Sequence, residues 1–241
     1  VALKTRTPKT YHHGDLRNTL IETSLKLIEE KGVRALTLRE IGSRAGVSRM
    51  AAYRHFANKS ELLGAICEAG FNRFVDVLTA ARESTDGTFH GRLSQMGLAY
   101  VRFAAGHPAH YEVMFGTGEQ QIGQEHWRQS GTRAFELLVQ TIQGGQASGD
   151  VAPGNPAELA SVVWSTVHGI SMLRLHTDLS DCSAGAHVVL LAGRILATGL
   201  REHATSQKEH TTKRSAGNRE TARRKPNSAD GLQFVREFLC P

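Results

Sequence analysis

Thr37-Leu-Arg-Glu-Ile-Gly-Ser-Arg-Ala-Gly-Val-Ser-Arg-Met-Ala-Ala-Tyr-Arg-His-Phe56 is the stretch that decides the fold of this chain. Thr37 and Glu40 have the spacing of a capping box, in which the hydroxyl accepts a first-turn N–H and the glutamate reaches back to the cap. A short helix to Ala45 follows. In Ala45-Gly46-Val47-Ser48 the alanine permits close helix approach, the glycine accepts a positive φ, the valine plugs the core and the serine caps the next helix. That helix runs from Arg49 to about Phe56. On a helical wheel Ile41, Ala45, Val47, Ala52 and Phe56 fall inward, leaving Ser48, Arg49, Tyr53, Arg54 and His55 outward.

The outward set is rich in hydrogen-bond donors, and the pattern is that of a helix-turn-helix. A helix lying in the major groove must present such side chains, because base edges are distinguished there by donor and acceptor pattern. Arg49 and Arg54 are candidates for bidentate contact with guanine, His55 is another base reader, and Met50 or Ala51 suits a thymine methyl. Tyr53 and Lys59 fit phosphate oxygens, as do the N–H groups at the helix starts capped by Thr37 and Asn58. Lys4, Arg6 and Lys9 form a basic arm suited to the backbone or minor groove.

Outward from this stretch, helical periodicity continues in both directions and no period-2 run is bounded by turn residues. Leu16, Leu20, Ile21, Leu27 and Ile28 predict a helix from about Asp15 to Lys31, ended by Gly32. Asn58-Lys-Ser-Glu61 resembles another cap, so a helix starts there and runs to about Ala81. Further helices are expected near 89–105, 108–115, 124–147, 156–175 and 183–203, separated by glycine and proline clusters. The fold class is therefore all-α, with about nine helices. The expected organisation is a basic arm over 1–14, a DNA-binding head over 15–60, a helical body over 61–203 and a basic, disordered tail over 204–241.

Charge follows that division. Residues 1–60 carry 12 basic and 5 acidic side chains, residues 61–203 carry 9 and 14, and residues 204–241 carry 8 and 4. A basic head on an acidic body confines phosphate contact to one part of the molecule. No apolar run approaches the roughly 20 residues of a membrane span, and the first residues lack the apolar segment of a secretory signal, so the expected location is cytoplasmic. Cys67, Cys182 and Cys240 are too scattered for structural zinc. Neither a G-x-S-x-G elbow, a phosphate-binding glycine loop nor His-Glu-x-x-His occurs, so no enzyme chemistry and no cofactor is expected. His107, His110 and Glu112 do not match a known metal spacing.

Gly32, Thr37-Leu-Arg-Glu-Ile, Ala45-Gly46-Val47-Ser48, Tyr53-Arg54-His55-Phe56 and Asn58-Lys59 with Glu61-Leu62-Leu63 resemble the DNA-binding region of the tetracycline-repressor (TetR) family. Met50, Ala51 and Ala52 depart from that family's pattern, and Ala52 predicts a less filled head core. Trp164-Ser-Thr-Val-His168-Gly169 is similar to the motif of a Trp-His-Gly subgroup, and His107 to Phe115 resembles the family's short central helix. The resemblance implies a homodimer on palindromic operator DNA, with the helices near 156–175 and 183–203 as the dimer interface and Val188, Leu191, Ile195 and Leu200 as its larger knobs. It also implies an unidentified small-molecule effector. Tyr100, Phe103, Tyr111, Met114, Phe115, Trp127 and Met172 are either pocket or ordinary core, and Trp164 and His168 are either packing residues or ligand contacts.

Overall fold

Leu16, Leu20, Leu27 and Ile28 are buried along one side of the first helix, α1, His13–Lys31. Gly32 at φ 74° stops it, donating its N–H to the Ile28 carbonyl at 2.7 Å. One 3-10 turn, Val33–Ala35, follows, a feature too short to produce a periodicity. Then come α2 (Leu38–Arg44), α3 (Arg49–His55), α4 (Lys59–Glu83), α5 (Phe89–Gly106), α6 (Pro108–Phe115), α7 (Gln124–Ser148) and α8 (Pro156–His176). A final helix, α9, spans 186–201. The computed structural model describes the backbone of residues 13–85, 87–116, 124–176 and 186–201. Among these every regular element is helical, in agreement with the all-α expectation. The basic arm and the 204–241 tail lie outside the described residues.

Two compact units are formed. Among the described residues the first holds α1 to α3, α4 as far as Ala69, and α6 from Ala109. Its core comprises fully buried Leu20, Leu27, Leu36, Ile41, Phe56, Leu62 and Ile66. Among the described residues the second holds α4 from Gly70, α5, α7 from Glu125, α8 and α9, with α5 packed on α8. Phe74, Tyr100, Phe103, Phe135 and Trp164 are buried in it. This grouping differs from a boundary at residue 60, because α4 contributes to both cores and α6 belongs with the head helices.

Three local expectations need correction. Thr37 does cap α2, accepting from Glu40 N at 3.2 Å, but the Glu40 carboxylate turns to Arg44 Nε at 2.9 Å instead of reaching back. Arg44 also pairs with Glu30 at 2.6 Å, so a charged partner outcompetes the cap and ties α2 to α1. Ala45 and Val47 are half-buried, not fully inward. Leu200, expected as a dimer knob, is 5% exposed and already packed within its own protomer. Its carbonyl accepts the Ala152 N–H at 2.9 Å.

Candidate nucleic-acid interface and body cavity

The turn between α2 and α3 rests on Gly46 at φ 70°, a value that strains any residue with a Cβ. Val47 N–H closes it on the Gly42 carbonyl at 2.9 Å. Ser48 then caps α3, accepting from Ala51 N at 3.2 Å. Ala52 is fully buried, and a methyl built on Gly42 would lie 3.5 Å from its Cβ. Two small residues thus face each other across the α2–α3 crossing, with room for one more carbon. Phe56 ends α3 in the core, and the Arg17 guanidinium of α1 sits 5.3 Å above its ring centroid.

With Ala52 and Phe56 turned in, Ser48, Arg49, Met50, Tyr53 and Arg54 are left on the exposed side of α3. Met50, at 71% exposure, is the most exposed large apolar side chain among the described residues. Arg49 stacks over Tyr53, 5.5 Å from the ring centroid. His55 is half-buried. Ala51 is a correction: at 8% exposure its methyl is turned into the fold and presents nothing to a base. Thr37 is exposed beside the start of α2.

The start of α4 is doubly capped. Glu61 N–H donates to Asn58 Oδ1 at 2.9 Å, and the Glu61 carboxylate takes the Ala57 N–H at 2.6 Å. Lys59, half-buried there, points its ammonium toward the Arg34 carbonyl at 3.4 Å. That contact uses one of its three N–H groups.

Within the second unit an aromatic cluster surrounds Tyr100. Its ring meets Phe74 edge-on at 4.8 Å and Trp164 at 5.4 Å, while Phe135 lies 5.9 Å from Trp164. Tyr100 Oη and His168 Nδ1 share a 3.0 Å hydrogen bond. Burial lowers the His168 pKa below the ordinary imidazole value, so the ring is held neutral. Beside this cluster lies an apolar cavity of about 40 Å³ whose lining includes Leu78, Met96, Tyr100, Leu138 and Trp164.

Of the nine expected ligand residues, Tyr100 and Trp164 line this cavity, and His168 reaches it through Tyr100. Phe103 is buried against Phe74 and His107. Tyr111 and Phe115 stack on each other at 4.8 Å in the first unit, where Met114 is also buried. Met172 is half-buried, and the Trp127 side chain lies outside the described residues. Leu78, Met96 and Leu138 line the cavity without having been among the expected ligand residues, although Leu78 belongs to the apolar stripe of α4.

Cys67 is buried, and burial together with Glu68 pushes its thiol up to about 12, which leaves it inert as a nucleophile. Among the described residues no group of three His, Cys, Asp or Glu side chains is placed to hold a metal ion. No described helix is long and apolar enough to cross a membrane.

Comparison with known proteins agrees with this geometry. Residues 20–66 match the tetR family of bacterial regulatory proteins, and residues 93–198 match the tetracyclin repressor-like C-terminal domain. The chain is 26% identical over 160 residues to the uncharacterised HTH-type transcriptional regulator YvkB of Bacillus subtilis, a match covering 65% of this chain and 82% of YvkB. Its head is 48% identical over 52 residues to the class A tetracycline repressor from transposon 1721 of Escherichia coli, covering 22% of this chain and 24% of that protein. A solved structure of a protein of unknown function from Rhodococcus sp. RHA1 superposes with a TM-score of 0.72 at 31% identity, over 80% of this chain and all of that one. A capped helix-turn-helix with a cationic outer face, the two family matches and the shared helical fold lead to one conclusion: the chain belongs to the TetR family of DNA-binding transcriptional regulators.

Proposed function

We infer that this regulator is a homodimeric, ligand-responsive repressor that docks α3 in the major groove of a palindromic operator and is released by a small molecule held in its second unit. The observation that carries the reading is the split of α3, which buries Ala52 and Phe56 while leaving Arg49, Met50, Tyr53 and Arg54 exposed. Nothing in the packing of the head requires that exposed set, whereas base readout requires such donors. Arg49 and Arg54 are assigned to base edges and Met50 to a thymine methyl. Ser48, Tyr53, Lys59 and Thr37 with its helix start are assigned to phosphates. His55, half-buried at the end of the helix, is assigned to the groove edge.

Dimerisation is supported by the surface of the second unit. Val162 and Leu173 on α8, and Val188, Leu191 and Ile195 on α9, are large apolar residues 41–63% exposed. The three on α9 recur at helical offsets and so share a face. A second copy of the chain is the occupant that the palindrome demands, because two recognition helices must reach successive major-groove faces. The repressor sign is taken from the tetracycline repressor that the head resembles.

Selection of bound duplexes from a random pool, with the protein's own mass measured in the complex, tests this reading. The expected product is an inverted repeat carrying two copies of the chain, with affinity falling steeply as salt rises. Recovery of no preferred sequence would sink it.

A further inference from the structure

One helical turn along from residues that line the apolar cavity stand residues that line a second, polar space. On α4 Leu78 lines the cavity and Arg82, four residues on, lines a separate polar cleft of about 390 Å³. On α5 Met96 lines the cavity and Arg92, four residues back, lines the cleft. On α7 the pair is Leu138 and Thr141. Four-residue and three-residue steps keep both members on one face, separated by about 5.4 Å of helix rise. A hydrogen bond links the linings of the two spaces: Thr141 Oγ1, on the cleft side, donates to Met96 Sδ, on the cavity side, at 3.6 Å.

Charge in the two spaces differs sharply. Among the described residues no charged side chain lines the cavity, whereas the cleft has the guanidiniums of Arg82 and Arg92 against the carboxylate of Glu83. Both arginines are half-buried, and among the described residues neither has an ion-pair or hydrogen-bond partner. A guanidinium held partly out of water without an acceptor is a ready partner for a carboxylate or phosphate. An apolar chamber offers the reverse, since burying an ion there costs several kcal/mol without a counter-charge. Met96, unbranched and able to change rotamer, is the side chain suited to open the wall between them.

We propose that the effector is an anionic amphiphile, its acidic head between Arg82 and Arg92 in the cleft and its apolar tail past Met96 into the chamber beneath Tyr100. The inference rests on the reading of the second unit as an effector-binding body. The chamber's 40 Å³ accepts little more than a methyl-sized group, so tail entry requires Met96, Leu78 and Leu138 to repack. Uncharged ligands of the same length forfeit the head contact, and short acids forfeit the tail.

Titration calorimetry of the full chain, free of DNA, with decanoate, decanol, decyltrimethylammonium and acetate tests this directly. Decanoate is expected to bind roughly tenfold or more tightly than decanol, with the quaternary ammonium weaker still and acetate without measurable heat. The Arg82→Gln, Arg92→Gln double variant is expected to bind decanol as the natural chain does while losing the preference for decanoate. Decanol binding as tightly as decanoate, acetate binding as tightly as decanoate, or no decanoate binding at all would each overturn the proposal. Duplex release is measured in parallel. Arginine-dependent decanoate binding that leaves DNA bound upholds the ligand class and overturns the ligand-responsive reading instead.

Discussion

The Arg49 guanidinium lies over the Tyr53 ring, 5.5 Å from its centroid, so two exposed side chains one turn apart on α3 are held as a unit. An exposed cation–π contact contributes about 0.5–1 kcal/mol, enough to narrow the rotamers from which Arg49 reaches a base. Tyr53→Leu is therefore expected to reduce discrimination between the preferred duplex and its single-base variants by about two- to fivefold, through a freer Arg49. Tyr53→Phe keeps the ring and loses the hydroxyl, so it should weaken all duplexes alike while leaving discrimination intact. Fluorescence anisotropy on matched and mismatched duplexes reads both. Equal loss of discrimination in the two variants would break the link between the residues.

Ile195, at 63% exposure, stands with Val188 and Leu191 on the outer face of α9. Ile195→Glu places a charge where the proposed two-fold contact brings two copies together, and burying like charges there is costly. The expected outcome is a folded monomer by sedimentation, with unchanged helicity and operator affinity lowered by several orders of magnitude, since each head alone retains only its half-site contacts. A dimer that persists with tight operator binding would move the interface elsewhere.

The same substitution at two glycines is expected to have opposite signs. At Gly42 a methyl would meet Ala52 Cβ at 3.5 Å, ordinary contact, and the helix gains alanine's propensity, so Gly42→Ala should stabilise by up to about 1 kcal/mol. At Gly145 on α7 a methyl would lie 2.6 Å from Phe89 and 2.7 Å from Val151, side chains packed at the start of α5 and in the loop before α8. Gly145→Ala should destabilise by about 1–3 kcal/mol, because overpacking there must displace a buried ring. Thermal unfolding of the two variants checks both signs.

These contrasts mark what a sequence reading reaches. Helix positions and the α2–α3 turn were legible because they depend on neighbours: Gly46 needs its own positive φ, and Ser48 caps three residues ahead. Ala51 was matched to a thymine methyl by residue type alone, without a place on the helical wheel, and its burial is decided by how α3 packs within the head. Glu40 was misjudged because Arg44, four residues on along the same helix, offers its carboxylate a charged partner in place of the cap N–H; only the second pairing of Arg44, to Glu30, depends on α1 and α2 being packed. The aromatic stripe was visible, yet α6 and α5 carry similar residues, and periodicity does not say that Tyr100 lines the cavity while Tyr111 is packed in the other unit. Leu200 illustrates the same limit on α9, where apolar residues serve both the protomer core and the outer face.

His168 gives the acid limb of stability a specific source. Burial holds its folded pKa below the ordinary 6.5, so the folded chain takes up this proton only at lower pH than the unfolded chain does. Above 6.5 both states are neutral at this position and it contributes no pH dependence. As pH falls below 6.5 the unfolded state binds the proton first and stability drops, until the folded pKa is passed and the penalty levels off. Protonation also forces Nδ1 to donate, reversing its role if it accepts from the Tyr100 hydroxyl in the neutral state. His168→Gln removes the titration and retains a group able to bond Tyr100. Relative to that variant, the natural chain is therefore expected to lose melting temperature more steeply between neutral pH and the region below 6.5, with the two curves parallel above it. Parallel curves throughout would assign the acid sensitivity to the chain's other histidines and carboxylates.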